Sequence, residues 1–165
     1  MGTSGNMSTS NQYVKYTVSI SQNSQSVSGN YSNVTVSVRF FRTNSGYTTY
    51  GSGICFCKIN GTTYSTTVSP SQKITDSGIN LFSKTLDIYH NSDGTKTLTC
   101  SAWISMDTPL TSNEQSYSQT LSTIPRASNP SLSSSLVIMG DSITVYTNRA
   151  SSNFTHVLYY QIGSG

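Results

Sequence analysis

Apolar and polar residues alternate with a period of two along most of this chain, the spacing of strands whose side chains point to opposite faces. Within Tyr13 to Ile20, the residues Val14, Tyr16, Val18 and Ile20 share one side, and 21–30 reads as a polar connector. Val34, Val36, Val38 and Phe40 then alternate with Thr35, Ser37, Arg39 and Phe41, the cleanest half-buried strand in the sequence. Asn44, Ser45 and Gly46 mark a turn. Gly53 to Ile59 and Thr62 to Val68 flank Asn60 and Gly61, a pair suited to the positive φ angles of a two-residue hairpin turn. Ser69 and Pro70 end that hairpin, and 74–78 reads as irregular. Ile79 to Ile88 gives a fifth strand, followed by a turn with Asp93 and Gly94 in its positive-φ positions. From Lys96 to Ser105, the residues Leu98, Cys100, Ala102 and Ile104 oppose Thr97, Thr99, Ser101 and Trp103. After a loop at 107–113 holding Pro109, Gln115 to Ile124 gives a seventh strand, with Tyr117, Gln119, Leu121 and Thr123 on one side.

Seven short strands with Gly and Asn turns between them, and no helical period, predict an all-β fold, a β-sandwich over 13–124. The strand count does not separate an immunoglobulin-like from a jelly-roll-like form. Residues 1–12, with Gly2, Ser4 and Gly5, read as a flexible leader. Pro125 and Pro130 bracket a linker over 125–130 that is expected to be stiff and extended. Beyond it, Leu136 to Ile138, Ser142 to Thr147 and Phe154 to Ile162 read as strands of a partial second β-sandwich domain, 131–165. Three strands are marginal alone, so this unit is expected to be truncated or completed by another chain.

Composition changes the picture in one respect, the nature of the surface. Only 9% of residues are charged and 34% are hydrophobic, yet the net charge is just +3 and eleven Tyr and five Phe are present. Disorder would pair low hydrophobicity with high charge and few aromatics. Ser and Thr supply about a third of the chain, so the exterior is one of hydroxyls and amides, as suits an extracellular or virion protein. No Lys/Arg cluster is present to neutralise a run of phosphates, which argues against nucleic acid. No apolar run approaches the length of a membrane-spanning helix, and the first ten residues lack the pattern of a signal peptide. Export by cell lysis is the expected route to the outside.

Candidate chemistry is sparse. Asp76, Asp87, Asp93, Asp107, Glu114 and Asp141 fall mostly in predicted turns, with no spacing that brings two carboxylates into one cleft. His90 and His156 lie in different units, and His90 reads as a turn or surface residue. No nucleophile-elbow sequence accompanies the many serines. Asp87, His90, Asn91 and Asp93 could offer oxygen ligands to calcium but do not form a calcium-loop pattern. Cys55 and Cys57 lie two apart on one strand and share a face, so they read as small buried apolar residues. A disulfide from Cys100 to one of them requires that their strands face each other. These readings predict no enzyme, no metal and no cofactor. Aromatic side chains offer another kind of site: Tyr47, Tyr50, Tyr64 and Trp103 are the candidates for stacking against a saccharide. Trp103 faces outward if Cys100 and Ala102 face the core, and is the core tryptophan if the register is inverted.

Several stretches occur together in one order: RTNSGYTTYGSG at 42–53, KINGTTY at 58–64, SKTLDI at 83–88, HNSDGTKTL at 90–98, SAW at 101–103 and QSYSQTLSTIPR at 115–126. GDSITV at 140–145 and NRASSNFTH at 148–156 continue the series. Their order and wording resemble the minor tail structural proteins of long-tailed phages of Gram-positive bacteria, streptococcal phages especially, a domain-of-unknown-function family. The resemblance covers about 13–165. It implies a virion component of the tail tip, baseplate or fibre, released by lysis, that assembles with copies of itself and with other tail proteins. Contact with host cell-wall saccharide is the alternative role. It implies no catalytic residue. Members of the family continue beyond this point, so the chain is expected to end within a domain.

Overall fold

The computed structural model describes residues 1–47, 51–107, 110–127, 131–132 and 144–146. Among them there is no helix, and none therefore that is long and apolar enough to cross a membrane. Two short strands, β1 (Gly2–Thr3) and β2 (Met7–Ser8), precede seven longer ones. These are β3 (Val14–Ser26), β4 (Tyr31–Arg42), β5 (Gly53–Ile59), β6 (Thr62–Val68), β7 (Ile79–Tyr89), β8 (Thr97–Met106) and β9 (Gln115–Thr120). In the first sheet β1 and β2 pair with β3, β3 with β4, and β4 with β7; the second runs β6-β5-β8-β9. Every pairing is antiparallel. The fold is a β-sandwich. Its distribution of β3, β4 and β7 against β5, β8 and β9, with β6 carried beside β5, is of the immunoglobulin-like kind.

The alternation places the core where it predicts. Val14, Tyr16, Val18 and Ile20 of β3 and Val34, Val36, Val38 and Phe40 of β4 are all fully buried. Facing them are Cys55, Cys57 and Ile59 of β5 and Leu98, Cys100, Ala102 and Ile104 of β8. Both inner faces mix large and small side chains, Tyr16 and Phe40 with valines on the first and Leu98 and Ile104 with Ala102 and the cysteines on the second. Tyr16 stacks on Phe40 with ring centroids 4.9 Å apart. Its hydroxyl crosses the sandwich to donate to the Ala102 carbonyl at 2.8 Å and accepts from Gln115 Nε2 at 3.1 Å. A bulge at β7, where Val38 pairs with Phe82 and Arg39 with Asn80, leaves Leu81 unpaired and turns two successive residues inward.

The structure corrects five expectations. Residues 1–12 are not a free leader. Gly2 and Thr3 pair with Ile20 and Ser19, Met7 and Ser8 pair with Tyr16 and Lys15, and Met7 joins the core. The segment then reaches the second sheet. Ser8 N donates to Gln115 Oε1 at 3.2 Å, Gln115 Nε2 donates to Ser8 O at 2.7 Å, and Ser10 N donates to Thr111 O at 2.7 Å. Polarity concealed this strap, because backbone and hydroxyl groups rather than apolar side chains hold it. For the same reason the polar stretch after Ile20 is strand as far as Ser26, with a bulge at Asn23 whose amide donates to Asn33 and Thr35.

His90 is buried rather than at the surface. Ring atom Nδ1 lies 2.7 Å from the Gly94 carbonyl and Nε2 lies 2.7 Å from Ser32 Oγ. A carbonyl only accepts, so Nδ1–H donates to Gly94, and the Ser32 hydroxyl donates its hydrogen bond to Nε2. In the Asn91–Gly94 turn only Gly94 has positive φ, at 83°. Asp93 instead accepts from the Thr95 N–H at 2.9 Å and its hydroxyl at 2.7 Å. A Cβ on Gly94 would collide with the Ile124 carbonyl. Asn60 and Gly61 take the expected turn, with φ of 47° and 87°.

β9 ends at Thr120 rather than Ile124, yet Leu121 and Ile124 remain buried, tied to Lys96 and Gly94 by backbone hydrogen bonds. Of the linker, 128–130 lies outside the described residues. Arg126 before it donates to Asn30 Oδ1 and to the Asn91 carbonyl. In the second unit β10 (Ser131–Leu132) pairs antiparallel with β11 (Val145–Tyr146). The strands expected at Leu136 to Ile138 and Phe154 to Ile162 lie outside the described residues.

Tyr16→Phe keeps the ring stack but leaves the Ala102 carbonyl without its cross-sheet donor. Urea denaturation of this variant should show a loss of about 1–3 kcal/mol with an unchanged m-value.

Candidate functional site

Cross-strand register decides which aromatic side chains meet. Trp103 of β8 pairs with Phe56 of β5, and Cys57 pairs with Ala102. Because Cys57 and Ala102 face the core, Trp103 and Phe56 point to the outer face of the second sheet. Trp103 is therefore not the core tryptophan. The two rings stack at 5.0 Å with planes 9° apart, and both are half-buried. Ile54, two residues before Phe56, is the neighbouring apolar residue on this face and is exposed.

Two residues along in the other direction the face becomes polar. Lys58 of β5 pairs with Ser101 of β8, which pairs with Ser116 of β9. Glu114, just before β9, accepts the Ser101 hydroxyl at 2.5 Å and lies 3.7 Å from Lys58 Nζ. Lys58 and Glu114 are 43% and 45% exposed. An ion pair so open to solvent contributes only about 0–1 kcal/mol to stability. Together with Asn60, Thr99 and Ser116 these residues line a hollow of about 290 Å³. Hollows of about 380, 360 and 410 Å³ elsewhere on the surface are lined mostly by Ser, Thr, Asn and Gln, with Met1 in two of them and Arg39 in one, and none lies beside the Phe56–Trp103 stack.

The saccharide candidates do not converge. Tyr64 pairs with Cys57 and so lies on the core side of its sheet, opposite to Trp103. There Lys84 of β7 sits over its ring, 4.6 Å from the centroid, closing the seam between the two sheets. Tyr47 packs against the core beyond β4, its carbonyl accepting from Arg42 Nη1 at 2.7 Å. Tyr50 lies outside the described residues. Trp103 alone reaches the outer face, and its companions are Phe56, Lys58, Ser101 and Glu114. One signal in the sequence could have found them: if all three cysteines are core residues, then Phe56 and Trp103 both point outward.

The groups with catalytic or metal-binding chemistry are occupied one by one. Ser32 and His90 form a hydrogen-bonded pair, but Ser32 is fully buried and also accepts from Gln22 Nε2 at 3.0 Å. That pair is a structural network, closed to a substrate. Asp87 accepts from Asn33 at 2.7 Å and Asp76 pairs with Arg42 at 2.6 Å. The two Thr95 hydrogen bonds, the hydroxyl's above all, hold the Asp93 carboxyl below its usual range. Among the described residues no three His, Cys, Asp or Glu gather as metal ligands. Asp141 and His156 lie outside them.

Cys55, Cys57 and Cys100 are free and buried. Cys100 pairs with Ile59, so it stands diagonal to Cys57 across the ladder. Diagonal neighbours are about 7–8 Å apart, beyond disulfide reach. Burial pushes the Cys55 and Cys100 thiols up to about 12 and Cys57 further still, with the adjacent thiols adding to the shift at Cys57. Unfolded thiols ionise near about 8.5. Between these values the unfolded chain binds fewer protons than the native one, so stability falls as pH rises. Denaturation midpoints should hold to about pH 8.5 and then decline through pH 12. The decline should be shallower in a Cys55→Ala, Cys57→Ala, Cys100→Ala variant, and native thiols should resist iodoacetamide until the chain is unfolded.

No curated protein and no solved structure matches the chain. Residues 7–165, which take in β2 through β11, match the model of a family described as a siphovirus protein of unknown function, DUF859, and the chain belongs to that family.

Proposed function

We propose that this protein is a non-enzymatic building block of the siphovirus tail, part of its tip, baseplate or fibre, assembling with copies of itself and with neighbouring tail proteins. Membership of a siphovirus family carries the reading. The sheet edges support it. On one side of the sandwich the N-terminal strap covers the edge of β3 and reaches Gln115 of β9. On the other side β6 and β7 end their sheets, and among the described residues no strand pairs with their outer edges. An open edge of backbone donors and acceptors is where a strand from another chain adds. The β6 edge, Thr62–Val68, is rich in Thr and has no charge or proline to repel such a strand. A neutral surface of hydroxyls and amides suits lasting contact between proteins outside a cell. The closure of the Ser32–His90 pair and the separate partners of Asp76, Asp87 and Asp93 support a role without catalysis.

Gold-conjugated antibodies against residues 13–124 should label intact particles at the tail, as seen by electron microscopy. Labelling confined to the capsid, or absence of the protein from purified particles, would refute the tail assignment.

A further inference from the structure

The outer face of the second sheet has chemistry that neither folding nor edge-to-edge assembly uses. The core lies on the opposite side of β5 and β8, so the Phe56–Trp103 stack is not part of the sandwich interior. Each ring gives one face to its partner, and both side chains are only half-buried on this outer face. One register row away are a cation, a carboxylate and a hydroxyl, Lys58, Glu114 and Ser101, beside a hollow of about 290 Å³. Their ion pair does little for stability at this exposure.

We propose that this face is a saccharide-binding site, taking neutral chains of gluco-configured pyranoses. One sugar ring stacks on Trp103 or Phe56 while its neighbour lies over the polar row. The ligand class follows from the pairing of groups. An aromatic face carries negative potential and attracts the weakly positive C–H bonds of a sugar. A pyranose with all its hydroxyls equatorial presents C–H bonds on both faces, so it can stack on an aromatic ring from either side. Glu114 accepts from sugar hydroxyls, and Lys58 and Ser101 engage them from the other side. The charges of Lys58 and Glu114 cancel within 3.7 Å, so the site has no excess of positive charge for a phosphate or nucleic acid. At about 290 Å³ the hollow lies at the lower end of ligand sites, which run from about 300 Å³, so it suits a single ring of a longer chain. The biological sense of this site, contact with a host envelope, rests on the tail reading; the binding itself does not.

Trp103 is the one tryptophan in the chain, so intrinsic fluorescence reports this face. Titrating the full chain with cellotetraose and with chitotetraose should give a saturable change in emission with at least one of them. Phe56→Ala and Glu114→Gln should each weaken that binding at least about tenfold while keeping the β circular dichroism spectrum and the thermal midpoint. Tyr89→Ala, which alters the exposed Tyr31–Tyr89 pair on the first sheet, should leave it unchanged. If Phe56→Ala fails to fold, Glu114→Gln and Lys58→Met decide the matter. No saturable change with either sugar, or a change that survives the loss of Glu114 and Lys58, would overturn the proposal. Tail labelling without sugar binding would remove the saccharide site and keep the tail role. Sugar binding by a protein absent from the particle would do the reverse.

Discussion

Tyr16 holds the two sheets in register. It is the largest fully buried side chain of the sandwich, and its hydroxyl is a polar group at the centre of an apolar core. Such a group is tolerated only when it is hydrogen-bonded. The Ala102 carbonyl on the opposite sheet and the Gln115 amide meet that need. Burial raises the phenol's pKa above its ordinary value, and a phenol is a donor at neutral pH without that shift. Much of the surrounding composition follows from this one ring. Phe40 is placed to stack on it, and Ala102 and the cysteines are small where the ring and its neighbours project. The cysteines serve by size, which is consistent with their high thiol pKa values.

Around that core, polar groups close the margins. The N-terminal strap seals the side between β3 and β9 with backbone and amide hydrogen bonds. Lys84 over Tyr64 seals part of the other side. At one pole Ser32, His90 and Gly94 form a chain of buried hydrogen bonds, and Arg126 fastens the end of the sandwich to Asn30 and Asn91. This explains how a chain with so few apolar residues folds. Alternation concentrates them on two inward faces, and hydroxyls and amides close the rims as apolar contacts do in other proteins.

The same economy separates structural from functional surface. Tyr64 and Tyr47 serve the seams, and Ser32 and His90 serve the pole. Among the described residues, the surfaces left outside include the Phe56–Trp103 stack with its polar row and the open edges of β6 and β7. Membership of a siphovirus family gives these surfaces a setting: in the tail role proposed above, the edges would join neighbours and the aromatic face would meet what lies outside the particle.

The sequence alone determined the inward faces, because period-two alternation is a local property of each strand. It also determined the Asn60–Gly61 turn, because few residues accept positive φ. The family resemblance was legible too, in words whose order survives without any coordinates. What only the tertiary structure decided was every relation between segments distant in the chain. Strand pairing put Phe56 beside Trp103 and separated Trp103 from Tyr64, although all three sit in well-read strands. The strap and the buried His90 were hidden for a related reason. Their stabilising partners are backbone carbonyls and hydroxyls from elsewhere in the fold, and a polar residue carries no local sign of whether its hydrogen bonds will go to water or to protein.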